Sequence, residues 1–390
     1  MSATVNPYDF LDVDALFTEE ERLVRATTRS FVRDRVLPGI NEWFEAGTPY
    51  PKELFKEMGR LGLLGMHLEG YGCAGMGAVA YGIVGEEIEY GDAALRSSLS
   101  VQGSLSMFPI WKYGSEEQKQ RWLPGMAAGD IYGCFGLTEP ESGSDPASMR
   151  TRARRDGADW VIDGTKSWIS NGTIADIAII WARTDEGIRG FVVPTDTPGF
   201  ESREIPHRMS LRASRVSELS LTGVRLSDEY RLPEVTSMRG PLSCLNEARY
   251  GIVWGVIGSA RACFESALDY SKQREQFGKP LAAFQLTQRK FADMVCEISK
   301  AQLLALHVGR MKEQGTVRPD QISLAKLNNV REALKIAREA RSILGGNGIA
   351  LEFQIIRHML NLESVYTYEG TNEVHTLIIG NAVTGISAFA

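Results

Sequence analysis

The spacing of apolar residues changes twice along the chain. Up to about residue 130 it follows the helical period: Leu54, Phe55, Met58 and Leu61 fall on one stripe of a helix. Thr18 with Glu21 fits a capping box, and the acidic run Glu19 to Glu21 suits the positive end of a helix dipole. The helix opened there is expected to stop at Pro38. Ser115 with Gln118 is a second capping box, opening a helix that carries Trp122 and Leu123. From about 131 to 236 the pattern shortens to strands, at Arg150 to Arg155, Trp160 to Asp163, Lys166 to Ile169, Ile177 to Trp181, Gly190 to Val193 and Val216 to Leu221. Asp156-Gly157 and Asp163-Gly164 read as the turns between the first three. From 237 to 390 long helical stretches return, at Arg249 to Arg274, Gln285 to Lys312 and Pro319 to Leu344, with a shorter one at Ile355 to Leu362. The predicted fold is mainly α with a central β-domain: a helical domain (1–130), a small β-barrel or sandwich (131–236) and a helical bundle (237–390). No internal repeat or low-complexity linker separates them, so the zones are expected to pack into one subunit.

Composition narrows the function classes. Of 390 residues, 43% are hydrophobic and 24% charged, values of an ordinary folded chain. The net charge of −6 argues against nucleic acid or an anionic membrane as the partner. Five cysteines form no CxxC pair, which suits a reducing compartment, and five histidines show no metal-ligand spacing, so no metal is expected. Met1 to Phe17 holds three aspartates and no Lys or Arg, unlike a secretory or transit signal. The longest apolar stretch, Tyr250 to Ala260, is 11 residues, too short to span a bilayer. A cytoplasmic protein is expected, or a mitochondrial-matrix one if a presequence has been removed.

Several motifs could carry chemistry, each beside a plainer reading. Gly70 to Gly75 matches G-x-G-x-x-G, but no convincing strand precedes it, so a glycine loop between helices is expected rather than a dinucleotide site. Arg150, Arg152, Arg154 and Arg155 read as a solvated face. Cys134 to Asp145 joins a strand-like stretch to a Ser- and Gly-rich acidic turn, either a loop or a grip for a polar cofactor. In Lys166 to Gly172, Trp168 either stacks on a flat ring or, the better reading of the residue alone, fills a core. Gly345-Gly346-Asn347-Gly348 caps a helix or lets a ligand approach its backbone. Glu369, in Tyr368-Glu369-Gly370-Thr371, is a surface residue at a helix start or a buried general base. Arg96, taken alone, reads as a surface residue.

Taken together, in this order and spacing, the motifs resemble the acyl-CoA dehydrogenase family over nearly the whole chain. The segments Arg96 to Gln102, Leu245 to Gly251 and Asn361 to Thr371 narrow the resemblance to its glutaryl-CoA-oxidising, decarboxylating branch. The resemblance implies FAD bound between the β-domain and the bundle. Phe135, Leu137, Thr138, Gly143, Ser144, Trp168, Ile169 and Ser170 would surround the flavin ring, with Thr138 and Ser170 on its polar edge. Arg274, Phe277, Gln285, Gly345 and Gly346 would reach FAD of a neighbouring subunit, and Thr371 its pyrophosphate. That shared cofactor implies a homotetramer. Ser342 stands where many relatives have a glutamine facing FAD. Ser144, Leu242, Asn246, Arg249 and Phe389 would hold the CoA moiety. Glu369 would remove the α-proton, with the thioester oxygen held by the backbone N–H of Glu369 and a ribityl hydroxyl of FAD, and Gly370 beside them touching substrate. Glu89, Arg96, Ser97 and Tyr368 would hold a distal carboxylate. The implied reaction converts glutaryl-CoA to crotonyl-CoA and CO2, passing electrons to an electron-transfer flavoprotein.

Overall fold

The computed structural model describes residues 5–389. Seven helices come first: α1 (Glu19–Phe31), α2 (Ile40–Ala46), α3 (Lys52–Arg60), α4 (Ala78–Gly91), α5 (Ala93–Ser100), α6 (Phe108–Tyr113) and α7 (Glu116–Ala127). Both predicted capping boxes are formed, at Thr18/Glu21 and Ser115/Gln118. The first helical run continues as a wider turn to Val36 and ends before Pro38. On α3, Leu54, Phe55 and Met58 are buried, but Leu61 lies beyond the helix end and is exposed. The Gly70–Gly75 segment is the loop between α3 and α4, with Gly70, Gly72 and Gly75 at positive φ.

The β-domain is one curled seven-stranded sheet: β1 (Gly133–Gly136), β2 (Arg152–Asp156), β3 (Asp159–Ser170), β4 (Ile177–Thr184), β5 (Gly187–Pro194), β6 (Phe200–Glu204) and β7 (Val216–Ser227). On one side β4 pairs antiparallel with β5; on the other it runs parallel to β1 and, at Arg183, to β2. The antiparallel ladder then continues from β2 through β3 and β7 to β6. Asp156-Gly157 makes the expected turn, with Gly157 at φ 66°. Asp163-Gly164 does not. β3 runs straight through it with a register shift, and Thr151 lies hard against the strand there: a Cβ at Gly164 would lie 2.3 Å from Thr151 Oγ1 and 2.7 Å from its Cα. Arg150, Arg152, Arg154 and Arg155 are all exposed, as a solvated face should be.

The bundle follows as α8 (Arg239–Gln273), a short hairpin of β8 (Glu275–Gln276) and β9 (Lys279–Pro280), α9 (Gln285–Glu313), α10 (Pro319–Ile343), α11 (Ile355–Thr367) and α12 (Asn372–Thr384). α8 starts at Arg239 rather than Arg249, because Pro241 falls in its first turn, where the missing N–H is no loss. α11 likewise runs past Leu362 to Thr367.

Helices from both ends of the chain share one core, in which α4 packs on α8 and α8 on α10. The α4–α8 contact is close: a Cβ at Gly258 would sit 1.9 Å from Glu86 O. A second core joins α6, α7 and the start of α8 to β1 and β4, and a third lies inside the sheet. Gln102, in the widened turn after α5, donates to Met126 O and Ile131 O and accepts from Gly133 N, fixing β1 to the first helical domain. Asp92 caps α5 and is gripped by Arg357 and Asn361 of α11, so the start of α5 is registered against α11. Among the described residues no helix is long and apolar enough to cross a membrane, and no cluster of residues could hold a metal ion.

Candidate active site

The loop between α11 and α12 carries two consecutive left-handed residues. Glu369 has φ 54° and Gly370 φ 95°, both left-handed. For a glutamate that conformation is strained by roughly 1–3 kcal/mol and persists only where surroundings enforce it. Here Arg249 Nε, from α8, donates to Glu369 O at 2.8 Å. Thr371 caps α12, accepting from Val374 N. Gly370 has no room for a side chain, since a Cβ would lie 2.9 Å from His375 Nε2. The Glu369 residue is half-buried, yet its Oε2 is sealed from solvent and has no hydrogen-bond partner. Burial pushes its pKa above the ordinary carboxylate value, against the pull of Arg96, Lys326 and Arg249. A raised carboxyl aimed at nothing in its own chain is built to exchange a proton with a ligand.

Arg96 is not on the surface. It is 1% exposed, on α5. Its Nε donates to Glu89 Oε2 at 2.6 Å and its Nη2 to the Tyr368 hydroxyl; Nη1 is buried without a partner. Burial opposes the guanidinium charge, but Tyr368 and Glu89 more than offset it and the pKa is raised. Glu89, from α4, is fully buried and pushed upward by desolvation. Ser259 Oγ donates to its second oxygen at 3.2 Å. The pair fits only because α8 has glycine beside it: a Cβ at Gly255 would come 2.4 Å from Glu89 Oε2 and 3.0 Å from Arg96 Cδ. Ser97, next on α5, is buried. Tyr368 links this group to Glu369, so α4, α5 and the α11–α12 loop meet here. Arg249 also donates to Asn246 Oδ1 at 3.3 Å, placing both on one face of α8 beside the loop. Leu242, a turn earlier on α8, is exposed.

A second cluster forms where β1 leaves the sheet. Ser167 N donates to Thr138 O at 2.9 Å, which seats the segment after β1 against the end of β3. Buried Lys166 locks it further, reaching Glu139 Oε1 at 2.8 Å and Leu137 O at 3.2 Å. Phe135, Leu137 and Ile169 are buried. Trp168 does not fill a core: it sits at φ 61°, which swings the indole outward to 62% exposure. Thr138 and Ser170 are half-buried, and their hydroxyls engage no described group. An exposed indole beside two free hydroxyls suits a flat ring with a polar edge.

Other expected residues lie elsewhere on the subunit. Gly143 and Ser144 are exposed in the turn before β2. Arg274, Phe277 and Gln285 are exposed around the β8–β9 hairpin, Phe277 at 94%. Gly345 and Gly346 are exposed at the end of α10, Gly345 at φ 58° as a left-handed cap. Phe389 is exposed beyond α12. Among the described residues, no hydrogen bond joins any of these to Glu369. Residues given no role by the sequence complete the site: Lys326 on α10, His375 on α12 and Gly255 on α8, while Lys166 and Glu139 pair from within two segments that the sequence did single out. Their residue types gave no signal, because only long-range packing brings them there.

Comparison with known proteins agrees with this architecture. Models of the acyl-CoA dehydrogenase N-terminal, middle and C-terminal domains match residues 18–130, 134–224 and 238–384. An acyl-CoA dehydrogenase of Bacillus subtilis (strain 168) is 36% identical over 375 residues, 94% of this chain and 99% of that one. The crystal structure of glutaryl-CoA dehydrogenase from Mycobacterium smegmatis is 59% identical, with a TM-score of 0.98 over 99% of this chain and 100% of that one. A glutaryl-CoA dehydrogenase from Mycobacterium smegmatis in complex with FADH2 matches at 58% identity and TM-score 0.98, over 99% of this chain and 100% of that one. The chain belongs to the acyl-CoA dehydrogenase family. It is an FAD-dependent oxidoreductase of acyl-CoA thioesters, and the cluster of Trp168, Thr138 and Ser170 fits that cofactor.

Proposed function

We propose that this enzyme oxidises and decarboxylates glutaryl-CoA, giving crotonyl-CoA and CO2. The observation that carries the reading is the unpartnered Nη1 of buried Arg96. A buried guanidinium donor without an acceptor is costly, and a substrate carboxylate supplies the missing partner. A saturated fatty acyl chain has no group to offer it. The charges lean the same way: three cationic side chains, Arg96, Arg249 and Lys326, face two carboxyls, Glu89 and Glu369. Glu89, Ser97 and Tyr368 complete the distal pocket.

Glu369 takes the α-proton, and the backbone around Gly370 steadies the thioester oxygen as enolate charge grows. FAD, when held there, would supply the acceptor for the hydride that leaves the β-carbon. Phe135, Leu137, Thr138, Gly143, Ser144, Trp168, Ile169 and Ser170 hold the cofactor, as does Thr371. Arg274, Phe277, Gln285, Gly345 and Gly346, exposed in the single chain, complete the cofactor site of a neighbouring copy in a homotetramer. Leu242, Asn246, Arg249 and Phe389 take the CoA moiety. Loss of CO2 breaks the bond to the γ-carboxylate and leaves its electron pair in a dienolate conjugated with the thioester. The proton held on Glu369 then returns to carbon. An electron-transfer flavoprotein is the electron acceptor.

Mass spectrometry of the CoA products, after incubation with glutaryl-CoA and an artificial acceptor, tests the reading. Crotonyl-CoA with CO2 release is expected. Accumulation of glutaconyl-CoA would refute decarboxylation while keeping the dehydrogenation, and unchanged glutaryl-CoA with FAD-loaded enzyme would refute the substrate.

A further inference from the structure

Lys326 lies within α10, 2% exposed, far from any position that a surface lysine would take. Its Nζ donates to Tyr368 O at 2.8 Å and to Gly370 O at 2.7 Å. Arg249 Nε holds the carbonyl between them, Glu369 O. Three consecutive carbonyls are therefore held by two cations from two helices. The left-handed bend at Glu369 and Gly370 is what turns the outer two carbonyls toward one ammonium. Tyr368 is the C-cap of α11, so one of the two bonds also closes that helix end. Together they span the loop that presents Glu369.

We propose that Lys326 is a positioning residue for the reaction: it holds the Glu369 peptide in its left-handed bend and supplies counter-charge to the carboxylate. The proposal rests on Glu369 being the base. The groups facing Glu369 are Arg96 from α5 with Glu89 of α4 behind it, Arg249 from α8, Lys326 from α10, Tyr368 beside it and His375 from α12 beneath Gly370. Burial draws the Lys326 pKa down to about 7, with Glu369 pulling it back up. Burial holds the His375 pKa at about 3, so that imidazole is neutral and adds no charge. Arg96 is committed to Glu89 and Tyr368, and Arg249 to the backbone and Asn246. Lys326 is thus the cation whose only fixed partners are the carbonyls on either side of Glu369.

The test compares wild type with Lys326→Met, Lys326→Gln, Lys326→Arg and Glu369→Gln, all FAD-loaded. The readout is the rate at which substrate bleaches the flavin in a stopped-flow trace, between pH 5.5 and 9. Lys326→Met is expected to slow bleaching about a hundredfold, as small misplacements of a reacting group do. Lys326→Gln keeps donors without charge. It is expected to recover part of the rate, with its acid limb moved to higher pH, because Glu369 loses a neighbouring cation. Lys326→Arg is expected to leave that limb unmoved. If Lys326→Met does not fold, the Gln and Arg pair still decides through the limb. Wild-type rates and an unmoved limb in Lys326→Gln, with Glu369→Gln inactive, would overturn the proposal and leave the base assignment standing. An active Glu369→Gln enzyme would instead overturn the base assignment beneath it.

Discussion

Replacing Arg96 tests what the distal end of the pocket is for. In the native site its Nε and Nη2 are occupied by Glu89 and Tyr368, leaving Nη1 unpartnered for the proposed substrate carboxylate. A hydrogen bond to a charged group contributes about 1.5–3 kcal/mol, and about 1.4 kcal/mol is tenfold, so each bond to a substrate carboxylate represents roughly a 10- to 100-fold preference. Arg96→Met alone would also strand the fully buried Glu89, and breaking such a pair destabilises a fold by about 3–5 kcal/mol. The informative variant is therefore Arg96→Met with Glu89→Gln, which leaves no buried charge unpaired. The assay is kcat/KM for glutaryl-CoA and for butyryl-CoA, at one pH and equal FAD loading, with an artificial acceptor. The ratio of the two should fall about 10- to 100-fold, mostly through the glutaryl-CoA value. An equal loss on both substrates would refute the anchor and reduce Arg96 to a structural charge.

Further outcomes follow from the same geometry. Glu369→Gln should retain FAD while substrate-driven bleaching falls by about 10²–10⁴-fold, the usual worth of a positioned base. Because burial raises the Glu369 pKa, wild-type bleaching should fade as pH drops while ordinary carboxylates are still ionised, which a pH series of stopped-flow traces reads directly. Buried His375 stays neutral in the fold down to about 3, whereas in the unfolded chain it takes a proton near 6.5. Its share of stability is full above about 6.5 and lost as pH falls toward 3, so His375→Gln should flatten urea-unfolding stability across that window. Gly258→Ala should lower the melting temperature by several degrees, since its Cβ would meet the α4 backbone at 1.9 Å and such overpacking costs about 1–3 kcal/mol.

What the chain discloses locally and what it hides follow a physical line. Capping boxes at Thr18 and Ser115 were legible because every interaction in them lies within four residues. The order of α, β and α zones was legible for the same reason. Asp163-Gly164 looked like a turn because the dipeptide is one elsewhere; its glycine instead serves Thr151, which lies across the sheet. β6 escaped notice because Phe200–Glu204 is polar and exposed, held only by β7 at the sheet edge. Trp168 suggested a core until its backbone conformation placed it outside. Arg96 and Glu369 are charged, so each alone pointed to the surface; their burial depends on Tyr368, distant in sequence from Arg96. Lys326 carries no local mark at all, since a lysine within a helix ordinarily faces water.

The gap at Gly255 bears on what holds the buried pair together. Glu89 and Arg96 occupy the space that an alanine methyl on α8 would fill. A methyl at position 255 would push on the Glu89 carboxylate and the Arg96 stem without removing either charge, and buried charges moved off their partners are costly. The absent side chain on α8 is thus as much a part of the ion pair as the two residues that form it.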